Sequence, residues 1–151
     1  MRYMKKRTDG ETDFDIYNFV FETAAEIFEE ITGASKGFPK DKVYLADLAC
    51  KHSKLVCIKL EEAWRMKEHR TFFLDKLSEA AQAASKTQDV LKFASKNNYI
   101  DREIFIKIDA AYENIFEDIF SILCEGKKFM NYPKGNGKRG SADRDVVAVA
   151  Q

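Results

Sequence analysis

Apolar residues recur three and four positions apart along four long stretches of this 151-residue chain. That spacing places apolar side chains on one face of an α-helix, whereas a half-buried strand would show strict alternation. The first stretch carries the pattern at Phe14, Tyr17, Phe21, Ala24, Phe28 and Ile31, and the last carries it at Phe105, Ile108, Tyr112, Ile115, Ile119 and Ile122. The spacing predicts helices over residues 13–32, 41–66, 69–97 and 101–125.

Turn residues and helix caps separate most of these stretches. Gly33 and Pro39 predict the end of the first helix and the loop that follows it. Asp41 and Asp101 stand where the N-caps of the second and fourth helices are expected, because an aspartate side chain accepts hydrogen bonds from the first backbone N–H groups. Neither glycine nor proline separates the second helix from the third, and we place a tight reversal over residues 66–69.

Four helices joined by short loops predict an all-α fold, an antiparallel up-down-up-down four-helix bundle. The bundle is predicted over residues 13–126, with Gly126 ending the last helix. Residues 1–12 read as a flexible basic arm that precedes it. Residues 127–151 lose all apolar periodicity and are predicted to be a disordered basic tail.

Composition and targeting signals favour a cytoplasmic protein. No apolar run approaches the roughly 18 residues that a membrane span needs, and the basic N-terminus leads into polar sequence rather than the apolar core of a secretory signal. Cys50, Cys57 and Cys124 show no CxxC spacing and are expected to be reduced thiols. We therefore expect no membrane association.

The chain holds twelve phenylalanines, more than one buried stripe per helix requires. One interpretation is a thick core with some exposed aromatic rings, because protein surfaces always expose some apolar area. We favour self-association. The predicted oligomer interface consists of Phe14, Phe21, Phe28, Phe105, Phe116 and Phe120.

Charge is divided between the first two helices although the whole chain balances 25 basic against 25 acidic residues. Residues 13–31 hold six acids and no base, whereas residues 51–70 hold six bases and two histidines against three acids. Pairing these two surfaces between subunits would be heterologous, and a heterologous contact that closes produces a ring. We predict a ring-shaped homo-oligomer.

The basic residues of the second helix and of the tail are candidates for contact with RNA phosphates. The predicted nucleic-acid-binding residues are Lys51, Lys54, Lys59, Arg65, Lys67, Arg70, Lys127, Lys128, Lys138 and Arg139. A solvated helix face is the alternative explanation of the charges in the second helix. Repeated around a ring, the same charges would form a continuous basic surface.

Residue patterns typical of catalysis and of metal or cofactor binding are missing from the sequence. It contains no GxxxxGK[ST], GxSxG or HExxH motif. His52 and His69 lack the i, i+4 spacing of a metal pair, so we interpret them as core or interface histidines. Glu61 and Glu62 are adjacent and point to different sides of a helix. We expect a protein that is not an enzyme and that needs neither cofactor nor metal.

Three motifs carry a resemblance to a known family. They are the Phe38-Pro-Lys40 loop followed by a helix, the alanine-rich third helix, and the turn Ala94-Ser-Lys-Asn-Asn-Tyr-Ile100. With these motifs, residues 38–122 resemble the bacterial four-helix-bundle family. That family includes proteins encoded in 23S ribosomal RNA intervening sequences and the accessory variability determinant (Avd) proteins of diversity-generating retroelements.

The middle of the chain is more similar to the Avd branch. Glu62-Ala-Trp64, a lysine-containing turn and Phe73-Leu-Asp-Lys76 resemble its pattern, whereas only Glu62 matches the Asn-Ile-Ala-Glu-Gly of the intervening-sequence branch. This resemblance implies a five-membered ring that binds a reverse transcriptase and its template RNA and supports mutagenic reverse transcription. The alternative branch implies a scaffold that acts through protein contacts only.

Overall fold

The computed structural model describes residues 13–129, with side chains from 14 to 124. Four α-helices follow one another: α1 (Asp13–Ser35), α2 (Val43–Arg65), α3 (Arg70–Lys96) and α4 (Arg102–Phe129), with a short 3-10 helix, Lys40–Lys42, before α2. All regular structure in this part of the chain is helical, which confirms the all-α prediction. The predicted N-terminal arm, Lys138 and Arg139 lie outside the described residues.

Each helix packs against the next one along the chain, and α1 also packs against α4. This pattern confirms the four-helix bundle. The largest fully buried side chains include Ile27 in α1, Leu60 in α2, Leu77 in α3, and Tyr112 and Ile115 in α4. One core therefore runs through all four helices, and the packing between α2 and α3 is the most extensive.

Small residues in the middle of α3 explain the close packing of α2 and α3. Ala80, Ala81, Ala83 and Ala84 are all buried, with at most 2% of any of them exposed. Helices whose contact positions hold alanine can approach more closely than helices separated by large side chains. The alanine-rich segment of the sequence is therefore a packing surface.

Three helix ends differ from the predicted boundaries by two residues or more. The α1 helix continues through Gly33 to Ser35, and α4 continues through Gly126 to Phe129, so its backbone includes Lys127 and Lys128 of the predicted tail. A single glycine costs only about 1 kcal/mol in a helix, less than is needed to end one. Asp41 lies in the 3-10 helix, and α2 begins without a side-chain cap.

The turn between α3 and α4 follows a Schellman motif. Asn98 adopts a left-handed conformation with φ of 61°, the Tyr99 N–H donates to the Ala94 carbonyl at 2.8 Å, and the Asn98 N–H donates to the Ser95 carbonyl at 3.1 Å. The Glu103 N–H then donates to Asp101 Oδ1 at 2.9 Å, which confirms Asp101 as the N-cap of α4. The chain leaves helical conformation over residues 66–69, where the sequence places a reversal.

Ala84→Leu should lower the free energy of unfolding by about 1–3 kcal/mol, because the added carbons have no space between α3 and its neighbours. Gln82→Leu, an exposed position on the same helix, makes a hydrophobic change of comparable size outside the core. Urea unfolding followed by circular dichroism measures both variants. Equal stability of the two would contradict the close packing described for α3.

Candidate nucleic-acid interface

The basic residues predicted to bind RNA divide into two groups according to their surroundings. Lys51 and Lys54 lie on the outward face of α2 and are exposed. Neither makes an ion pair with another described residue. Their charge is therefore available to a partner.

Lys59 belongs instead to a network of four charges between α2 and α3. Its Nζ lies 2.9 Å from Glu79 Oε1 and 3.5 Å from Glu62 Oε1. Lys76 contacts the same two carboxylates at 3.5 and 3.4 Å. The hydrogen bond from Lys59 lowers the pKa of Glu79, and the same bond raises the pKa of Lys59. The positive charge of Lys59 is therefore balanced by carboxylates of the same chain.

The other predicted contacts near the end of α2 are also engaged. Arg65 donates to Glu61 Oε1 at 2.8 Å in an exposed ion pair. The Lys67 ammonium lies 5.1 Å from the centre of the Trp64 ring, and the Arg70 guanidinium lies 5.1 Å from that of Phe73. The exposed Arg65–Glu61 pair and the Lys67–Trp64 contact each contribute about 1 kcal/mol or less, so RNA can still compete for Arg65 and Lys67. Arg70 is half-buried against the buried Phe73.

The phenylalanines predicted at an oligomer interface also differ in exposure. Phe14 and Phe120 are exposed, whereas Phe21, Phe28, Phe105 and Phe116 are half-buried. Phe14 lies against Trp64 with 5.5 Å between the ring centres, and Tyr17 stacks on the same tryptophan at 4.5 Å. Part of this predicted interface therefore fills the groove between α1 and α2 of the same chain.

Sequence reasoning missed an apolar stripe on the outward face of α2. Tyr44, Leu48 and Ile58 are exposed, and Leu55 is half-buried. Helical spacing places these four residues on one side of α2, opposite the buried Ser53. The spacing of these residues is visible in the sequence. Leu48 and Leu55, however, also fit a stripe that faces the core, so the spacing alone does not show that the stripe is exposed.

A basic cluster joins α2 to α3 at His52. Burial lowers the pKa of His52, and the nearby charges of Lys86 and Lys51 lower it further. The Nδ1 atom of His52 is buried and has no hydrogen-bond partner in the described structure. A neutral imidazole is therefore flanked by two lysines from different helices, and Lys86 was not among the predicted residues.

Aromatic rings gather near the turn that joins α3 to α4. Phe38 and Tyr99 have ring centres 6.3 Å apart, and those of Phe93 and Tyr99 are 6.5 Å apart. Phe38 is buried, whereas Phe93 is largely exposed. The cluster therefore extends from the buried Phe38 to the exposed Phe93.

Burial favours the neutral forms of Cys57, Tyr17 and Tyr112. Burial raises the pKa of the Cys57 thiol to about 11 and that of Tyr17 to about 12, and it also raises the pKa of Tyr112. A thiol with so high a pKa is a poor nucleophile near neutral pH.

Among the described side chains, no three of His, Cys, Asp or Glu lie together as a metal site. No described helix is long and apolar enough to cross a membrane.

Glu79→Gln should destabilise the protein by less than about 1 kcal/mol at pH 7, since the pair with Lys59 is partly exposed. Because the folded state lowers the pKa of Glu79, the carboxylate contributes stability above its ordinary pKa of 4.5. That contribution is lost as the pH falls through the lowered pKa. The difference between variant and wild type should therefore disappear in acid.

Urea unfolding at pH 7 and at pH 3 measures this effect. Glu68→Gln is the control, because Glu68 is exposed and makes no ion pair with another described residue. A Glu79→Gln deficit that persists unchanged at pH 3 would show that the carboxylate charge is not its cause.

Comparison with known proteins supplies no family for this chain. No protein-family model matches it, and no curated protein matches it. The resemblance to the intervening-sequence and Avd proteins thus stays a hypothesis.

Proposed function

We propose that this chain is a non-enzymatic accessory protein of a diversity-generating retroelement, which forms a ring and binds a reverse transcriptase and its template RNA. The observation that carries the proposal is the outward face of α2. It combines lysines without ion partners in the described chain, Lys51 and Lys54, with exposed apolar side chains such as Tyr44 and Ile58. Such a face suits contact with a macromolecule. The reverse transcriptase enters through the family resemblance alone.

The helices of the proposed bundle run antiparallel, up-down-up-down. In support, Lys59 of α2 contacts Glu79 of α3, and Glu62, later in α2, contacts Lys76, earlier in α3. Residue numbers therefore rise along one helix as they fall along its neighbour. The four-residue connection between α2 and α3 also suits antiparallel neighbours.

Opposite charges on α1 and α2 support the ring. Glu22 and Glu29 are exposed seven residues apart on α1, and Lys54 and Arg65 are exposed on α2. These surfaces differ, so their contact between copies is heterologous, and a heterologous contact whose rotation closes forms a ring. The exposed Ile58, which lies on the same side of α2 as Lys54 and Arg65, would be covered in the same contact. Five subunits is the number that the resemblance implies.

The alternative function is a scaffold of the intervening-sequence type that acts through protein contacts only. The neutralisation of Lys59 by Glu79 and the pairing of Arg65 with Glu61 favour it, because they reduce the positive potential of α2. A neighbouring reverse-transcriptase gene would favour the accessory function. A position inside a ribosomal RNA gene would favour the scaffold.

Glu22→Lys combined with Glu29→Lys should break the proposed ring, because like charges would then meet at the subunit contact. Light scattering at micromolar concentration measures the mass of the variant and of the wild type. A wild-type protein that is monomeric in this measurement would contradict the ring.

Reversing three charges on α2, Lys51→Glu, Lys54→Glu and Arg65→Glu, should weaken binding of a structured RNA more than tenfold at low salt while the fold is retained. The matched control reverses three exposed cations on other elements, Lys36, Arg102 and Lys107. Fluorescence anisotropy measures binding, and circular dichroism checks the fold. RNA binding unchanged by the α2 variant would remove these residues from the interface.

A further inference from the structure

Two exposed aromatic rings lie where the beginning of α2 and the end of α3 meet. Tyr44 is 62% exposed and Phe93 is 52% exposed. Phe93 is held from behind by Tyr99, which in turn contacts the buried Phe38. The ring is therefore supported on one side and open on the other.

The antiparallel register of α2 and α3 places these rings at the same end of the two helices. The contacts Glu62–Lys76 and Lys59–Glu79 show that three residues forward on α2 correspond to three residues backward on α3. The same register sets His52 beside Lys86, which agrees with the influence of the Lys86 charge on that histidine. Continued to the helix ends, it brings Tyr44 beside the last turns of α3, where Phe93 lies.

Lysines surround the two rings. Lys40 and Lys42 precede Tyr44, and Lys92 and Lys96 flank Phe93. None of these four makes an ion pair with another described residue. The nearby carboxylates are those of Asp41, Asp47 and Asp89, together with Asp101, which caps α4.

The same charge continues along the seam between α2 and α3. Lys86 is seven residues from Phe93 on α3, about 10 Å along the helix axis and on the same side. Lys51 lies on the other helix of the seam, near His52. This strip of the surface thus carries cations as well as the two open rings.

Single-stranded RNA fits this strip better than a protein partner does. Unpaired bases stack on exposed aromatic rings, and lysines contact the phosphates between them. Protein interfaces are depleted in lysine at their centres, whereas this strip carries several lysines near the two rings. A duplex would offer the lysines its phosphates but would leave the rings without bases to stack on.

We propose that Tyr44 and Phe93 form a stacking platform for unpaired bases of single-stranded RNA, with Lys51, Lys86 and Lys96 contacting the phosphates. This inference rests on the proposed RNA-binding function and names the part of the RNA that is recognised. None of these residues except Lys51 belongs to the set predicted from sequence.

The test compares Phe93→Ala with Phe72→Ala in the full chain. Phe72 is 55% exposed and lies three heptads earlier on the same side of α3, near the neutralised charge network. The probes are a short labelled oligouridine and a duplex RNA of equal length. We expect Phe93→Ala to weaken oligouridine binding about tenfold, with little effect on duplex binding.

The Phe72→Ala variant should bind both probes like the wild type, and Phe93→Tyr should retain oligouridine binding. Equal losses in Phe93→Ala and Phe72→Ala, or no loss in either, would overturn the stacking platform. If duplex and oligouridine binding both depend on the α2 lysines and neither depends on Phe93, the RNA-binding function stands and the platform fails. A wild type that binds neither probe overturns both.

Discussion

Close packing of α2 against the alanines of α3 determines which basic and aromatic side chains of the two helices lie side by side. Ala80 and Ala84 are fully buried, and their small side chains allow the two helices to approach closely. This contact sets the register in which Lys59 meets Glu79 and His52 lies near Lys86. Without that register, the basic and aromatic side chains of the two helices would not lie along one strip.

The same packing divides the charge of α2 along its length. In the second half of the helix, acidic neighbours neutralise Lys59 and pair with Arg65. In the first half, Lys51 and Lys54 have no ion partner in the described chain, and exposed apolar residues lie beside them. The charge of α2 that is available to a partner therefore lies near exposed apolar surface.

The all-helical bundle could be predicted because apolar periodicity is a local property of the sequence. Its ends were harder to predict, since the energetic cost of one glycine did not end α1 at Gly33 or α4 at Gly126. The surroundings of the candidate RNA-binding residues could be predicted only in part. The partner of Lys59 is Glu79, twenty residues away and on another helix, so its neutralisation cannot be read from spacing within α2. Phe93 was also missed, because its contact with Tyr99 depends on the conformation of the turn after α3, which helical spacing does not give.

The most direct test of the account is the absolute mass of the purified protein, with and without a structured RNA, at low and moderate salt. A ring that binds RNA through lysines should give a multiple of the mass of one chain, should gain mass with RNA at low salt and should lose that gain at moderate salt, because phosphate contacts release counterions. An assembly whose mass does not respond to RNA at either salt concentration would contradict the RNA-binding function. It would favour the alternative function, a scaffold that acts through protein contacts only.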